Sequence, residues 1–178
     1  MNAPICRLYI AISVDGYIAT PDGGVDWLEP YHHLDTGIQD FMDKIGTVVM
    51  GRNTYEQVLQ LGDWPYAGKH AVVLTSRVLA PPAGHEVQAW SGDPRQLLST
   101  LRKRGDGDVW LMGGAMVVRQ WLDLDLVDRL ELYVIPVLLG DGIRLFRRSD
   151  HRHALELQAA TTWPGGITGL HYYLIMDC

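Results

Sequence analysis

Across residues 48–55 an apolar, β-branched run breaks at Gly51 into Arg52, Asn53 and Thr54. A strand that feeds straight into a helix leaves the first helical N–H groups unpaired, with the positive end of the helix dipole behind them. A glycine at the junction lets a bulky ligand approach the main chain, Arg52 adds a fork of donors, and Thr54 adds a hydroxyl. That spacing describes an anion site. Two other apolar runs end in compatible chemistry: residues 70–75 lead into Thr75, Ser76 and Arg77, and residues 109–112 lead into Gly113 and Gly114. Each piece also has a plainer use. Thr54 with Gln57 spells a capping box, Arg77 reads equally as a solvated loop arginine, and two glycines permit any tight turn. Neither a Gly-x-Gly-x-x-Gly fingerprint nor a P-loop is present, which points away from a doubly wound dehydrogenase or an NTPase. His32-His33 and the pair His151 and His153 lack a third ligand at metal spacing, and no metal is expected.

The elements that must position these groups alternate in type. Residues 7–13 read as a strand ending at the turn pair Asp15-Gly16, and residues 20–36 as a long loop. Asp35 or Thr36 can cap a helix with Ile38, Phe41, Met42 and Ile45 on its inner face, closed by Gly46. A buried strand at 48–51 follows, then a helix lined by Tyr55, Val58 and Leu59. Asp93-Pro94 opens a further helix that Gly105 ends, and Gly113-Gly114 opens another running to about 122. Residues 130–137, 155–161 and 170–175 are β-structure with no helix among them. This order predicts a single α/β domain over 1–178, with a largely parallel sheet and an antiparallel C-terminal edge. Right-handed crossovers bring the strand ends at 51, 75 and 112 to one rim, where open α/β sheets bind ligands, so one extended phosphate-bearing ligand across that rim is expected.

Composition bounds the rest. The chain has 178 residues, 47% hydrophobic and 20% charged, and a net charge of −6. That balance argues against a nucleic-acid surface, no stretch is long and apolar enough for a membrane helix, and no signal-peptide pattern opens the chain; a cytoplasmic protein is expected. Cys6 and Cys178 have no metal-type spacing and read as reduced, structural thiols.

The motifs, taken in order, resemble one family over nearly the whole chain. They are residues 11–19 (Ala-Ile-Ser-Val-Asp-Gly-Tyr-Ile-Ala), 50–56 (Met-Gly-Arg-Asn-Thr-Tyr-Glu), 74–77 (Leu-Thr-Ser-Arg), 112–114 (Met-Gly-Gly), 126–130 and 136–146. Together they resemble the dihydrofolate reductase fold, a three-layer α/β/α arrangement, and within it the C-terminal reductase domain of bacterial bifunctional riboflavin-biosynthesis deaminase-reductases. The resemblance implies NADPH, with Gly51, Arg52, Thr54, Thr75, Ser76 and Arg77 around the 2′-phosphate and pyrophosphate. It places Gly113 and Gly114, joined by a cis peptide, at the dinucleotide, Ala11 by the nicotinamide, and residues 14–28 as a lid. It offers Asp35, or Asp40, as the carboxylate that dihydrofolate reductases carry before the Met-Gly-Arg strand. It also offers Trp27 as an active-site tryptophan and Asp15 as a match to the riboflavin-type enzymes. Val118 stands where a tyrosine is usual in dihydrofolate reductases, and the zinc deaminase signature is absent. The implied activity is an NADPH-dependent reduction of a small heterocyclic or carbonyl substrate. The alternatives are reduction of a 5-amino-6-(5-phosphoribosylamino)uracil-type substrate, with Arg144, Arg147, Arg148 and Arg152 as counter-charge, dihydrofolate reduction, or NADPH binding without turnover. A homodimer built in part on the C-terminal strands is expected, since those strands lack a covering helix and the deaminase-reductases pair through this domain.

Overall fold

Alternate residues of β1 (Cys6–Ser13) face opposite cores, and this sets the layering. Cys6, Leu8 and Ile12 enter one core, while Tyr9 and Ala11 belong to the clusters on the other face. The computed structural model describes residues 3–175. After β1 come β2 (Tyr17–Ala19), a 3-10 helix (Asp26–Tyr31), α1 (Ile38–Met42), β3 (Ile45–Gly51), α2 (Arg52–Gln60), β4 (His70–Leu74) and β5 (Val87–Trp90). The chain continues with α3 (Pro94–Arg104), β6 (Asp108–Gly113), α4 (Ala115–Asp123), β7 (Arg129–Ile135), β8 (Ile143–Arg144), β9 (Ala154–Thr162) and β10 (Thr168–Ile175).

The main sheet has the order β5-β4-β3-β6-β1-β7-β10-β9, and β2 pairs separately with β8. Within the main sheet β10 is antiparallel to both its neighbours, and every other pairing is parallel. The expected antiparallel edge is therefore narrower than the sequence suggests. β7 lies parallel to β1 because α4 precedes it, which makes β6-α4-β7 a crossover unit. Leu97, Leu98 and Leu101 of α3 and Val118 and Trp121 of α4 cover one face. Phe41 of α1 and Tyr55 and Val58 of α2 cover the other. Three layers result, the architecture of the dihydrofolate reductase fold.

Local chemistry accounts for most of the boundaries. The Asp93 carboxylate accepts the Arg95 N–H at 2.9 Å, Pro94 is the first helical residue, and Gly105 at φ +72° ends α3. The helix expected from 36 to 45 is instead only five residues long. Its N-cap is Gly37 at φ +84°, and Ile45 already begins β3. Gly46 is a strand residue rather than a helix terminator, since a Cβ there would lie 2.5 Å from the Asp106 carbonyl oxygen. Beneath α1 the Arg7 guanidinium donates to Glu131 through Nε at 2.8 Å and Nη2 at 2.6 Å, and it stacks on Phe41 at 4.7 Å. Both ions are buried. Burial alone would lower the pKa of Arg7, but the bonds to Glu131 and the nearby Asp108 carboxylate hold it above its ordinary value. Cys6 is buried, its thiol pushed up by burial; Cys178 lies outside the described residues. Among the described residues no helix is long and apolar enough to cross a membrane.

Candidate active site

β3 and β6 are neighbours, and their parallel register brings Met50 opposite Gly113 and Gly51 opposite Leu74 of β4. The helices that leave these strands, α2 and α4, start at Gly51 and Gly114, and neither has a side-chain cap. Two sets of free helical N–H groups thus sit at adjoining strand ends, whereas α3 satisfies its own start with Asp93. The gap between them is close. A Cβ on Gly51 would lie 3.1 Å from Val117 Cγ2 and 3.7 Å from the Gly114 nitrogen, and a Cβ on Gly114 would lie 3.6 Å from Thr54 Oγ1. Gly51, Gly113, Gly114 and Thr54 therefore line one cradle that a side chain would fill. The peptide between Gly113 and Gly114 is cis, as the resemblance implied, and Gly113 takes φ +111°. The cradle suits a diphosphate by its shape and donor set.

The arms of the rim differ from the sequence reading. Arg52 Nε donates to Glu56 Oε1 at 2.6 Å, and Nη1 reaches the Val78 carbonyl at 3.5 Å, which ties α2 to the segment after β4. In that segment the Thr75 hydroxyl accepts the Arg77 N–H at 3.1 Å, and Ser76 and Arg77 are exposed. A cleft of about 250 Å³ opens beside them, lined by Leu74, Thr75, Ser76, Trp90, Ser91 and Gln120 among others. Thr54 and Gln57 form no capping box. α2 has no side-chain cap, and Gln57 Nε2 instead donates to the Gly23 carbonyl at 2.7 Å, pinning the tip of the first loop to the helix.

Around the end of β1 the candidate carboxylates turn out to hold backbone. Asp15 accepts from the Ser13 hydroxyl at 2.7 Å and from the N–H groups of Leu139 and Gly140 at 3.1 and 2.7 Å. The Ser13 bond, with those N–H groups, pushes its carboxyl down to about 2. Through these bonds Asp15 staples the first loop to residues 139–140. Asp35 is exposed and accepts the Gly37 N–H at 2.9 Å, closing the turn that replaces the expected first helical turn. Asp40 is exposed as well, because α1 turns Phe41 toward the sheet. Ala11 itself lies in an apolar cluster that includes Leu34, the residue before Asp35. Trp27 packs with Ala11, Leu28 and Tyr31 against Tyr133, Ile135 and Ile167.

Residues 4–168 match the family model of the RibD C-terminal domain. The chain belongs to that family. Its relatives include YwjB of Bacillus subtilis, 35% identical over 167 residues covering 93% of this chain and 95% of that protein. Among solved structures, a Shewanella sp. PV-4 protein named for riboflavin biosynthesis superimposes with a TM-score of 0.87 at 29% identity, covering 97% of this chain and 99% of the other. The dihydrofolate reductase of Enterococcus faecalis shares the fold at a TM-score of 0.68 and 21% identity, with 96% of each chain covered. The RibD C-terminal family is one of reductase domains.

Within this RibD-type domain the arginine run expected to meet a substrate phosphate divides. Arg144 lies at the upper rim, its Nη2 3.1 Å from the Tyr17 hydroxyl and its guanidinium 4.7 Å from that ring. The Ser149 hydroxyl meets Asp123, the last residue of α4, at 2.5 Å, and His153 approaches Asp125, just beyond it, at 3.5 Å. Arg147, Arg148 and Arg152 flank those anchors in sequence and are exposed. Sequence reasoning also missed Tyr133 and His171, whose Oη and Nε2 lie 3.3 Å apart beside Trp27 and Ala11. Burial raises the Tyr133 hydroxyl and lowers His171. Only the β7 register, which sets Tyr133 opposite Ala11, shows that Tyr133 belongs there.

Proposed function

We propose that the chain is an NADPH-dependent reductase of a small heterocyclic or carbonyl substrate. The observation that carries this reading is the cradle at Gly51, Gly113 and Gly114, where two uncapped helix starts and the Thr54 hydroxyl converge. Arg52 and Arg77 would hold the 2′-phosphate, with Ser76 and Thr75 beside it, and the cleft between Ser76, Trp90 and Gln120 would take the adenosine end. Ala11 and Trp27 would form the wall at the nicotinamide, with the loop pinned by Gln57 above. NADPH, when bound, supplies the hydride, and the protein's part is to bind, orient and exclude water.

Arg144 favours one second reading, a substrate bearing a ribosyl phosphate, because it alone of the four arginines stands beside Gly16 at this rim. Dihydrofolate fits less well, since Asp35 and Asp40 are both exposed and Asp35 is engaged by the Gly37 N–H. The unit is proposed to be a homodimer that uses the uncovered C-terminal strands.

Calorimetric titration with NADPH and NADH tests the cofactor, and NADPH oxidation across pterin, pyrimidine and carbonyl substrates tests turnover. NADPH binds more tightly than NADH, and Arg52→Ala reduces that preference about tenfold or more, as loss of a charge-assisted contact should. Equal affinities in the wild type overturn the cofactor reading. Binding without oxidation of any substrate class leaves a nucleotide-binding module instead.

A further inference from the structure

We propose that Glu56 limits how sharply this protein separates NADPH from NADH, by competing with the 2′-phosphate for Arg52 and by accepting the 2′-hydroxyl of NADH. The inference rests on the cofactor reading above. Arg52 is the residue best placed to recognise that phosphate, yet its Nε is already taken by Glu56 Oε1 at 2.6 Å, and its Nη1 leans on the Val78 carbonyl at 3.5 Å. The side chains are 29% and 48% exposed, so the carboxylate stands in solvent at the mouth of the rim rather than in a structural core.

Helix stability does not explain this pair. Arg52 is the first residue of α2, where the positive end of the helix dipole disfavours a cation. Arginine four residues before glutamate is also the weaker order for an i,i+4 pair. An exposed pair of this kind contributes little to folding, so its main consequence is local charge. A phosphomonoester carries between one and two negative charges and must displace or crowd Glu56 to reach the guanidinium. A ribose 2′-hydroxyl instead gains from Glu56, as acidic residues in NAD sites receive that hydroxyl. Arg77 is the second cation of the rim and has no ion-pair partner among the described residues, which leaves it free to favour the phosphate in either case.

The test compares wild type, Glu56→Gln and Glu56→Ala as full-length protein. Dissociation constants are measured for NADPH, NADH, and the fragments 2′,5′-ADP and 5′-AMP. Both variants should tighten NADPH and 2′,5′-ADP by about fivefold, a gain of the size an exposed charge contact commands. They should weaken NADH and 5′-AMP alike, since both present the free 2′-hydroxyl that Glu56 accepts. In an Arg52→Gln background the gain for 2′,5′-ADP should shrink, because the competed donor is gone. A discrimination ratio that stays constant or falls in both variants overturns the proposal, a fall meaning that Glu56 holds Arg52 in its binding pose. Wild-type protein that binds neither dinucleotide overturns the cofactor reading itself, and this inference with it.

Discussion

With Ser13, Leu139 and Gly140 all bonded to it, the Asp15 carboxylate ties two distant loops at the end of β1. Its folded pKa of about 2 lies below the ordinary 3.8, so the tie contributes fully above pH 4 and is lost as pH falls through 2. In urea titrations Asp15→Asn should therefore be less stable than wild type from pH 5 to 7, with the gap closing between pH 4 and 2. A gap independent of pH would remove the carboxylate from this role. Residue by residue, the convergence of Gly51, Thr54 and Gly114 was legible because it follows from strand-glycine-helix spacing, which is local. The partners of those residues were not. Glu56 stands four positions from Arg52 and was readable as a possible pair, but its meeting with the very guanidinium assigned to phosphate needs the rotamers. Gln57 was read as a cap for its own helix, and tertiary structure gives its amide to Gly23 instead.

At the scale of elements, α3 shows a boundary written wholly in the sequence: Asp93, Pro94 and Gly105 fill cap, first-turn and stop positions as local chemistry demands. Asp93→Ala should lower stability by about 1 kcal/mol, read as a drop in the thermal midpoint, while the rim and any nucleotide affinity stay unchanged. No change in the midpoint would mean water replaces the cap at no cost. α1 is the opposite case. Helical periodicity across residues 38–45 is real, but Ile45 and Gly46 are drawn into β3 beside the 106–107 turn, and the backbone hydrogen bonds of the strand outweigh a short helix's weak propensity. The five residues of α1 turn only Phe41 inward.

For the whole molecule, the parallel rim was predictable from alternating elements, but the strand order was not, because β6 inserts between β3 and β1 after two other strands have been laid down. The C-terminal strands are where the proposed dimer should form. Every residue of β9 is exposed, and Leu155, Leu157, Tyr173 and Ile175 are 42%, 54%, 40% and 48% accessible. Light scattering should give about twice the 19.9 kDa chain mass at micromolar concentration. Leu157→Lys should shift that mass toward a single chain without lowering nucleotide affinity. A single-chain mass for wild type at every concentration rules the dimer out. The central position of β1 bears on a different matter, the order of events during synthesis. Cys6 pairs with Val109 and Arg7 with Arg129, so the first strand leaves the ribosome with neither neighbour yet made. Until residue 135 has emerged, Leu8, Ile10 and Ile12 have no finished sheet to enter, and the nascent chain must carry them exposed or on a chaperone. Refolding from denaturant should accordingly fall among the slower single domains, in milliseconds to seconds, set by the wait for that late closure.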